Sequence, residues 1–297
     1  MRISQLAVVH HRTPDVLARA LERLARFAPG LPVRVLDTAP EPGTAERVHA
    51  AHPGARLEGI ANHSYAAAAN QALRDAPGPL VAIMNADVLI EADTLRALAA
   101  PFHDPSVAVT GPLARTPDGA LQDQGLPYRW ATDAIRGRGA HAVREVTWLS
   151  GCLFVARTAA ARDAGGLDPT LRFGNVDLDW CLRLRSRGWR CLLSAAEVEH
   201  LGGASTPDAG RFLVEGLRGG MVVARRHHGP LRSGAQRAAV GVVAALRART
   251  GRRGDRPTWA AVERMMRRGA FDASPFGATL ADDAPGFPGD WPPGGPG

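Results

Sequence analysis

The chain is 297 residues long, 45% apolar and 22% charged. Those values suit a globular protein whose core needs no disulfide or metal staple, and they exclude collagen, coiled coil and wholesale disorder. The formal charge of +7 is unevenly placed: residues 1–210 hold 22 Arg against 22 acids, residues 211–270 hold 14 against 3, and residues 271–297 hold none against 4. Every basic side chain other than histidine is arginine. Basicity confined to one segment, without aromatic interleaving, argues against a nucleic-acid partner. Cys152, Cys181 and Cys191 are an odd number with no C-x-x-C pair, so a disulfide framework and a thiolate zinc site are not expected, and a reducing cytoplasmic compartment fits. Leu6-Ala7-Val8-Val9 is too short for a signal peptide, and the apolar stretch 238–246 is too short to span a bilayer.

In chain order, residues 5–9 read as a short buried strand. A helix follows over 14–28, with Val16, Leu17, Ala20, Leu21 and Leu24 at helical spacing, stopped by Pro29-Gly30. The pattern then predicts a strand at 33–36 ending at Asp37, a helix at 44–51, a strand at 57–60, and an Ala-rich helix at 65–75. The apolar run 79–84 predicts a central strand ending at Asn85-Ala86-Asp87, followed by a helix at 91–100. Strands alternating with helices at this spacing predict βαβ units and a parallel sheet, whose ligands bind beyond the carboxyl ends of the strands. The second half predicts strands at 108–110, 147–155 and 191–194 and helices at 158–164, 177–188, 211–228 and 231–249. Residues 271–297, rich in Pro, Gly and Asp, read as a disordered tail.

Three places carry chemistry. Asp37 and Asp87 follow predicted strands, and two acids at matching strand ends point to a shared site; the Asp87 carboxylate, closing the Asn85-Ala86-Asp87 turn, suits a hard divalent cation bridging a diphosphate. Asp177 and Asp179 open a helix, where the dipole favours anions, and one of them facing the cleft could act as a general base. His200, before Gly202-Gly203 at a strand end, is an acceptable imidazole ligand for Mn2+ or a similar ion.

Taken in order, the motifs resemble a family-2 glycosyltransferase of the GT-A fold, in the style of bacterial rhamnosyltransferase-like members. The resemblance covers about residues 6–206. Leu6-Ala7-Val8-Val9 with Pro14-Asp15-Val16-Leu17 resembles the opening strand and helix. Val33-Arg34-Val35-Leu36-Asp37 resembles the strand that ends in the nucleotide-base acid. Asn62 with Tyr65-Ala66-Ala67-Ala68-Ala69-Asn70 resembles N-x-G-F-A-A-A-N, and Asn85-Ala86-Asp87 the D-x-D-type metal motif. Gly111-Pro112-Leu113 and Pro117-Asp118-Gly119-Ala120-Leu121-Gln122 resemble the mid-domain segment. Trp148-Leu149-Ser150-Gly151-Cys152 resembles the acceptor-side W-x-S-G, Asp177-Leu178-Asp179 with Arg183 resembles E-D-x-D-x-x-x-R, and His200-Leu201-Gly202-Gly203 with Ser205-Thr206 resembles H-x-G-G-x-S.

The resemblance implies a mostly parallel, Rossmann-like α/β sheet flanked by helices over residues 1–208, a basic helical extension over 209–270, and the tail. It implies inverting transfer of a sugar from a dTDP- or UDP-linked donor to a saccharide or lipid-linked acceptor, in cell-envelope polysaccharide or glycolipid synthesis. The protein would be cytoplasmic, or peripheral at the inner face of the membrane. Val9, His11, Asp37, Asn62, Asn70 and Asn85 would serve the nucleotide. Asp87 and His200 would hold Mn2+ or Mg2+. Asp177 would be the base, with Asp179 and Arg183 fixing the helix start, and Trp148, Gly151 and Arg183 lying on the acceptor side. A catalytically impaired nucleotide-sugar-binding protein is the alternative. Four positions depart from the family pattern: His10-His11-Arg12 stands for T-Y-N, Asp37-Thr38-Ala39-Pro40 for D-N-G-S, His63 and Ser64 leave the third motif without its glycine, and Val176 replaces the Glu of E-D.

Overall fold

The computed structural model describes residues 1–122, 143–202 and 209–276. Its first half alternates strand and helix: β1 (Gln5–His10), α1 (Pro14–Phe27), β2 (Val33–Asp37), α2 (Thr44–Ala51), β3 (Arg56–Gly59), α3 (Tyr65–Arg74) and β4 (Leu80–Asn85). Leu17, Ala20, Leu21 and Leu24 are the buried stripe of α1, as their helical spacing requires. Ser64 starts α3 by accepting the Ala67 N–H at 3.1 Å, and the alanines behind it are buried between helix and sheet.

The second half holds β5 (Val88–Leu89), α4 (Thr94–Ala99), β6 (Val107–Arg115), β7 (Arg144–Glu145), β8 (Leu153–Arg157), α5 (Thr158–Ala164), α6 (Val176–Ser186) and β9 (Arg190–His200). The strands join one sheet in the order β3-β2-β1-β4-β8-β6-β9-β5, with β7 paired to β9. The β3-β2-β1-β4 run is parallel, as are β6 and β9; β8 lies antiparallel between β4 and β6. Two apolar clusters cover the two faces of this sheet. The chain runs outward from β1 to β2 and β3 and then crosses to β4 on the other side of β1, so a crevice opens at the carboxyl ends of β1 and β4.

Helices α7 (Ala209–His227), α8 (Gly229–Thr250) and α9 (Arg256–Arg268) complete the described chain and share a third cluster built around Met221, Ala244, Val262, Met266 and Phe271.

The structure corrects several predicted elements. The strand expected over 147–155 begins only at Leu153. Its glycine is the reason: the Gly151 N–H donates to Asp177 at 2.9 Å and its carbonyl accepts from the Tyr65 hydroxyl at 2.6 Å, so neither group is free for a ladder. The short strand at 191–194 and the segment around His200 form one eleven-residue strand, β9. Strand β5 and helix α9 were not legible in the periodicity. The first residues of the segment read as a disordered tail are packed, since Phe271 is 1% and Ser274 7% exposed; residues 277–297, and Gly203, Ser205 and Thr206 of the last motif, lie outside the described residues.

Candidate active site

A cleft of about 470 Å³ opens over the carboxyl ends of β1 and β4. Val9 and Asn85 are cross-strand partners at its floor, and the Ala86 N–H donates to the Val9 carbonyl at 3.1 Å. Val9, His11, Asn62, Asn85, Asp87, Gly151, Asp177 and His200 all line it. Asp37, Asn70, Trp148, Asp179 and Arg183 do not, and each has a place that explains why.

Asp37 is completely buried at the end of β2. Its Oδ1 takes the His10 ring at 3.0 Å and the Ala39 N–H at 3.1 Å. The Thr13 N–H donates to His10 Nε2 at 3.0 Å, so the ring proton sits on Nδ1 and points at Asp37. His10, His11 and Thr38, rather than Asp37, present the wall above. The Thr38 hydroxyl donates to the His10 carbonyl and accepts from His11 Nδ1, each at 2.9 Å. Two of the departures from the family pattern, at the ends of β1 and β2, therefore bond to each other. Burial, with Arg12 and His10 alongside, lowers the His11 pKa below its usual value.

Asn70 is also fully buried and clips Leu167 by both amide groups, each bond 2.7 Å long. Trp148 packs on the main apolar cluster.

Asp87 and His200 meet because β5 pairs antiparallel with β9, Val88 against His200. Gln122 Nε2 donates to the His200 carbonyl at 2.9 Å, which turns its amide oxygen toward His200 Nδ1 at 2.7 Å. Nδ1 then carries the proton of a neutral ring, and the Nε2 lone pair faces Asp87 Oδ1 at 3.3 Å. Two acceptors set face to face are satisfied by a cation or a proton between them. Among the described residues no group of three or more His, Cys, Asp or Glu gathers as a complete metal cage. A donor set of one carboxylate and one imidazole fits a cation that also takes oxygen ligands from its substrate.

Across the cleft, Asp177 lies in the first turn of α6. Its oxygens accept the Gly151 and Leu178 N–H groups, each at 2.9 Å. Burial raises its pKa above the usual carboxylate value, against the pull of those two donors. Burial, and then the Asp177 charge, push the Tyr65 phenol well above its usual value too. Asp179, two residues on, points away from the cleft and is 0% exposed. Its oxygens meet Arg183 at 2.8 Å, Arg226 at 2.7 Å and His227 at 3.0 Å. Burial alone would raise its pKa; the His227 hydrogen bond and the Arg183 and Arg226 charges outweigh it and hold the group well below the usual range. Arg183 spans from Asp179 to the Ala164 and Gly166 carbonyls.

The sequence reading missed Arg172, Phe173, Phe212 and Phe276, which line the same cleft. Phe212 meets Phe173 edge-on at 4.2 Å and Phe276 at 4.9 Å between ring centroids. The Arg172 guanidinium has no hydrogen-bond partner among the described residues, and burial lowers its pKa. Arg172-Phe173, directly before Gly174-Asn175, was a signal within reach; Phe276 was not, being 99 positions from Asp177 in sequence.

Helix α7 clamps this wall. Glu215 Oε1 accepts the Arg172 N–H at 3.1 Å, Arg218 donates to the Thr170 carbonyl at 2.7 Å, and Arg226 pairs with Asp168 at 2.9 Å. The Asn175 amide donates to the Gly216 carbonyl at 2.8 Å while its backbone sits at φ +61°, in the left-handed region that asparagine tolerates.

The sequence model described as "Glycosyltransferase like family 2" matches residues 5–271, the sheet and all three C-terminal helices. The chain belongs to that family. No curated protein matches the sequence. Among solved structures, the chain is similar to GalNAc-T7 with UDP, GalNAc and Mn2+ (TM-score 0.60, 14% identity, 75% of this chain and 48% of that one). It is also similar to S. aureus TarS (0.58, 15%, 91% and 49%) and to a mycobacterial protein (0.56, 15%, 77% and 76%). It thus spans about half the length of the first two. At these identities the likeness establishes the fold: a mixed α/β sheet flanked by helices, of the GT-A type.

Proposed function

We propose that the protein is an inverting glycosyltransferase that moves a sugar from a nucleoside-diphosphate donor to an acceptor hydroxyl. The observation that carries this is one cleft with Asp87 and His200 on one side and a proton-accepting carboxylate, Asp177, on the other. The nucleotide would lie along Val9, His11, Thr38, Asn62 and Asn85, with buried Asp37 holding His10 in place behind them and buried Asn70 holding α3 to Leu167. Asp87 and His200 would hold Mn2+ or Mg2+, as their facing lone pairs allow. When bound, such a cation neutralises charge on the departing diphosphate.

Asp177 would take the proton of the acceptor hydroxyl as its oxygen bonds the anomeric carbon. The bond from that carbon to the nucleoside diphosphate breaks on the opposite face, so configuration inverts. A raised pKa suits this work, because it brings the base nearer to neutral pH. Arg172 and the phenylalanine wall would face the acceptor beside Gly151, and Trp148 would act only through its packing on the main apolar cluster. Asp179 and Arg183 would act on geometry alone, by anchoring α6.

A dTDP-linked rhamnosyl donor is the first to test, followed by UDP-sugars, on a saccharide or lipid-linked acceptor of the cell envelope. The three buried thiols suit a reducing cytoplasmic compartment, with the enzyme at the inner face of the membrane. Among the described residues no helix is long and apolar enough to cross a bilayer.

The test is a screen of dTDP- and UDP-sugars with Mn2+, reading melting temperature and nucleoside-diphosphate release, with product configuration assigned by NMR. A donor that raises the melting temperature and is consumed with inversion supports the proposal. Donor binding without transfer to any acceptor or to water supports the impaired, binding-only reading. A retained configuration overturns the role of Asp177.

A further inference from the structure

Helix α8 has two unlike faces. Ser233 and Ala244 are buried, and the backbone at Gly241 comes close to Met266, where an added Cβ would stand 3.6 Å from that side chain. That side packs on α7 and α9. The other side carries Leu231, Ala235, Ala238, Val242 and Leu246, spaced by four, three, four and four, which is one stripe of an α-helix. All five are exposed. Leu231 is 89%, Val242 70% and Leu246 60% in solvent, three of the eight large apolar side chains most exposed among the described residues, and Val243 beside them is a fourth. The sequence pattern alone does not separate these faces, because valines at 240, 242 and 243 occupy both.

The surround of this stripe is cationic. Arg232 stands next to its first residue, and Arg252 and Arg253 follow its end; all are exposed and none has an ion-pair partner among the described residues. Across residues 211–270 there are 14 Arg and 3 acids. A second copy of the chain seated on this stripe would bring two such cationic surrounds together, and they would repel.

We propose that the exposed face of α8 docks on an anionic lipid surface, with Leu231, Val242 and Leu246 entering the headgroup boundary and the flanking arginines meeting lipid phosphates. Apolar area and charge act together in such binding, so loss of either weakens it. The inference concerns the extension and stands whether or not the chain transfers sugar; if the transferase reading also holds, docking would bring the cleft to a lipid-linked acceptor.

The test is flotation of the full chain with vesicles of phosphatidylglycerol and phosphatidylcholine, against phosphatidylcholine alone, at low and high salt. The wild type should bind the anionic vesicles at low salt and lose most of that binding at high salt. The triple variant Leu231→Ser, Val242→Ser, Leu246→Ser should bind at least about tenfold more weakly, and Arg232→Gln with Arg252→Gln and Arg253→Gln should do the same. All these positions are exposed, so both variants should keep the wild-type circular dichroism and melting temperature. Absence of binding at low salt overturns the proposal. Binding that the serine variant leaves unchanged also overturns it, leaving general basicity as the cause. Lipid-free self-association that the serine variant abolishes would assign the face to a second copy instead.

Discussion

The two walls of the cleft are held by different forces. On the side of β1 and β4, Val9 and Asn85 sit at the ends of neighbouring parallel strands, and their spacing follows from ladder hydrogen bonds between backbone groups. On the Asp177 side, residues 168–175 form no ladder. They are held by what α7 sends across: Glu215, Arg218, Arg226 and the Gly216 carbonyl. A ladder survives the loss of any one side chain, because every bond in it belongs to the backbone. A wall held by side chains has single residues whose loss loosens it. The extension that looks like an appendage in the sequence is, in the structure, the support of the candidate base.

The largest effect should come from Asp177. With Asp177→Asn, transfer should fall by about 10²–10⁴-fold while donor affinity by calorimetry stays unchanged, since a base acts on the acceptor in the transition state. In the wild type, burial raises this pKa, so the acid limb of kcat should lie above the ordinary carboxylate range of about 4. Near-normal turnover in the variant would remove Asp177 from the chemistry.

The contrast between the walls is sharpened by Arg218. It is 2% exposed, and its partner Glu215 is 0% exposed. Arg218→Met leaves a buried carboxylate uncompensated, which costs about 3–5 kcal/mol by denaturant unfolding. Asn62→Ala, an exposed residue on the opposite wall, should stay within about 0.5 kcal/mol of wild type. Equal losses would erase the distinction.

Asp179 gives the same contrast a pH dependence. Its folded pKa is depressed, so the stability it contributes is present above its unfolded value of about 3.9 and is lost as pH falls below that toward the folded value. Asp179→Asn should be less stable than wild type at neutral pH and should lose less on acidification below about pH 4. Parallel stability curves for the two proteins would show that the carboxylate charge contributes nothing.

On the wall formed by β1 and β4, Asp87→Asn should abolish the part of donor affinity that depends on Mn2+, at least about tenfold, and leave the metal-free part alone. Wild-type donor affinity that is the same with Mn2+ and with chelator would sink the Asp87–His200 assignment.

Much of the architecture was legible in the sequence because it is local. The stripe of α1, the apolar run of β4 and the Ala-rich α3 announce themselves by period and composition, and turn residues bound them. Strand-end acids mark where a parallel sheet binds ligands, which is how Asp87 came into view. The same rule put Asp37 in the ligand site, because a strand end does not say whether its side chain is capped. His10 caps it, 27 residues away. Gly151 stood in a strand-like run, and only its bonds to Tyr65 and Asp177 turn that run into a loop.

What the sequence by itself determined, then, is the alternation of strand and helix, the placement of Asp87, Asp177 and His200 at element ends, and the concentration of charge in the last third of the chain. These follow from neighbouring residues and need no knowledge of contacts. The resemblance named Asp177 over Asp179 as the base; only the tertiary structure showed what holds Asp179 away from the cleft, that Arg172 and three phenylalanines line it, and which face of α8 stays in water. These rest on pairs far apart in sequence, such as Asp179 with His227, 48 positions apart, and Arg172 with Glu215, 43 apart. Their geometry is set by how the helices pack on the sheet, and no local period carries that information.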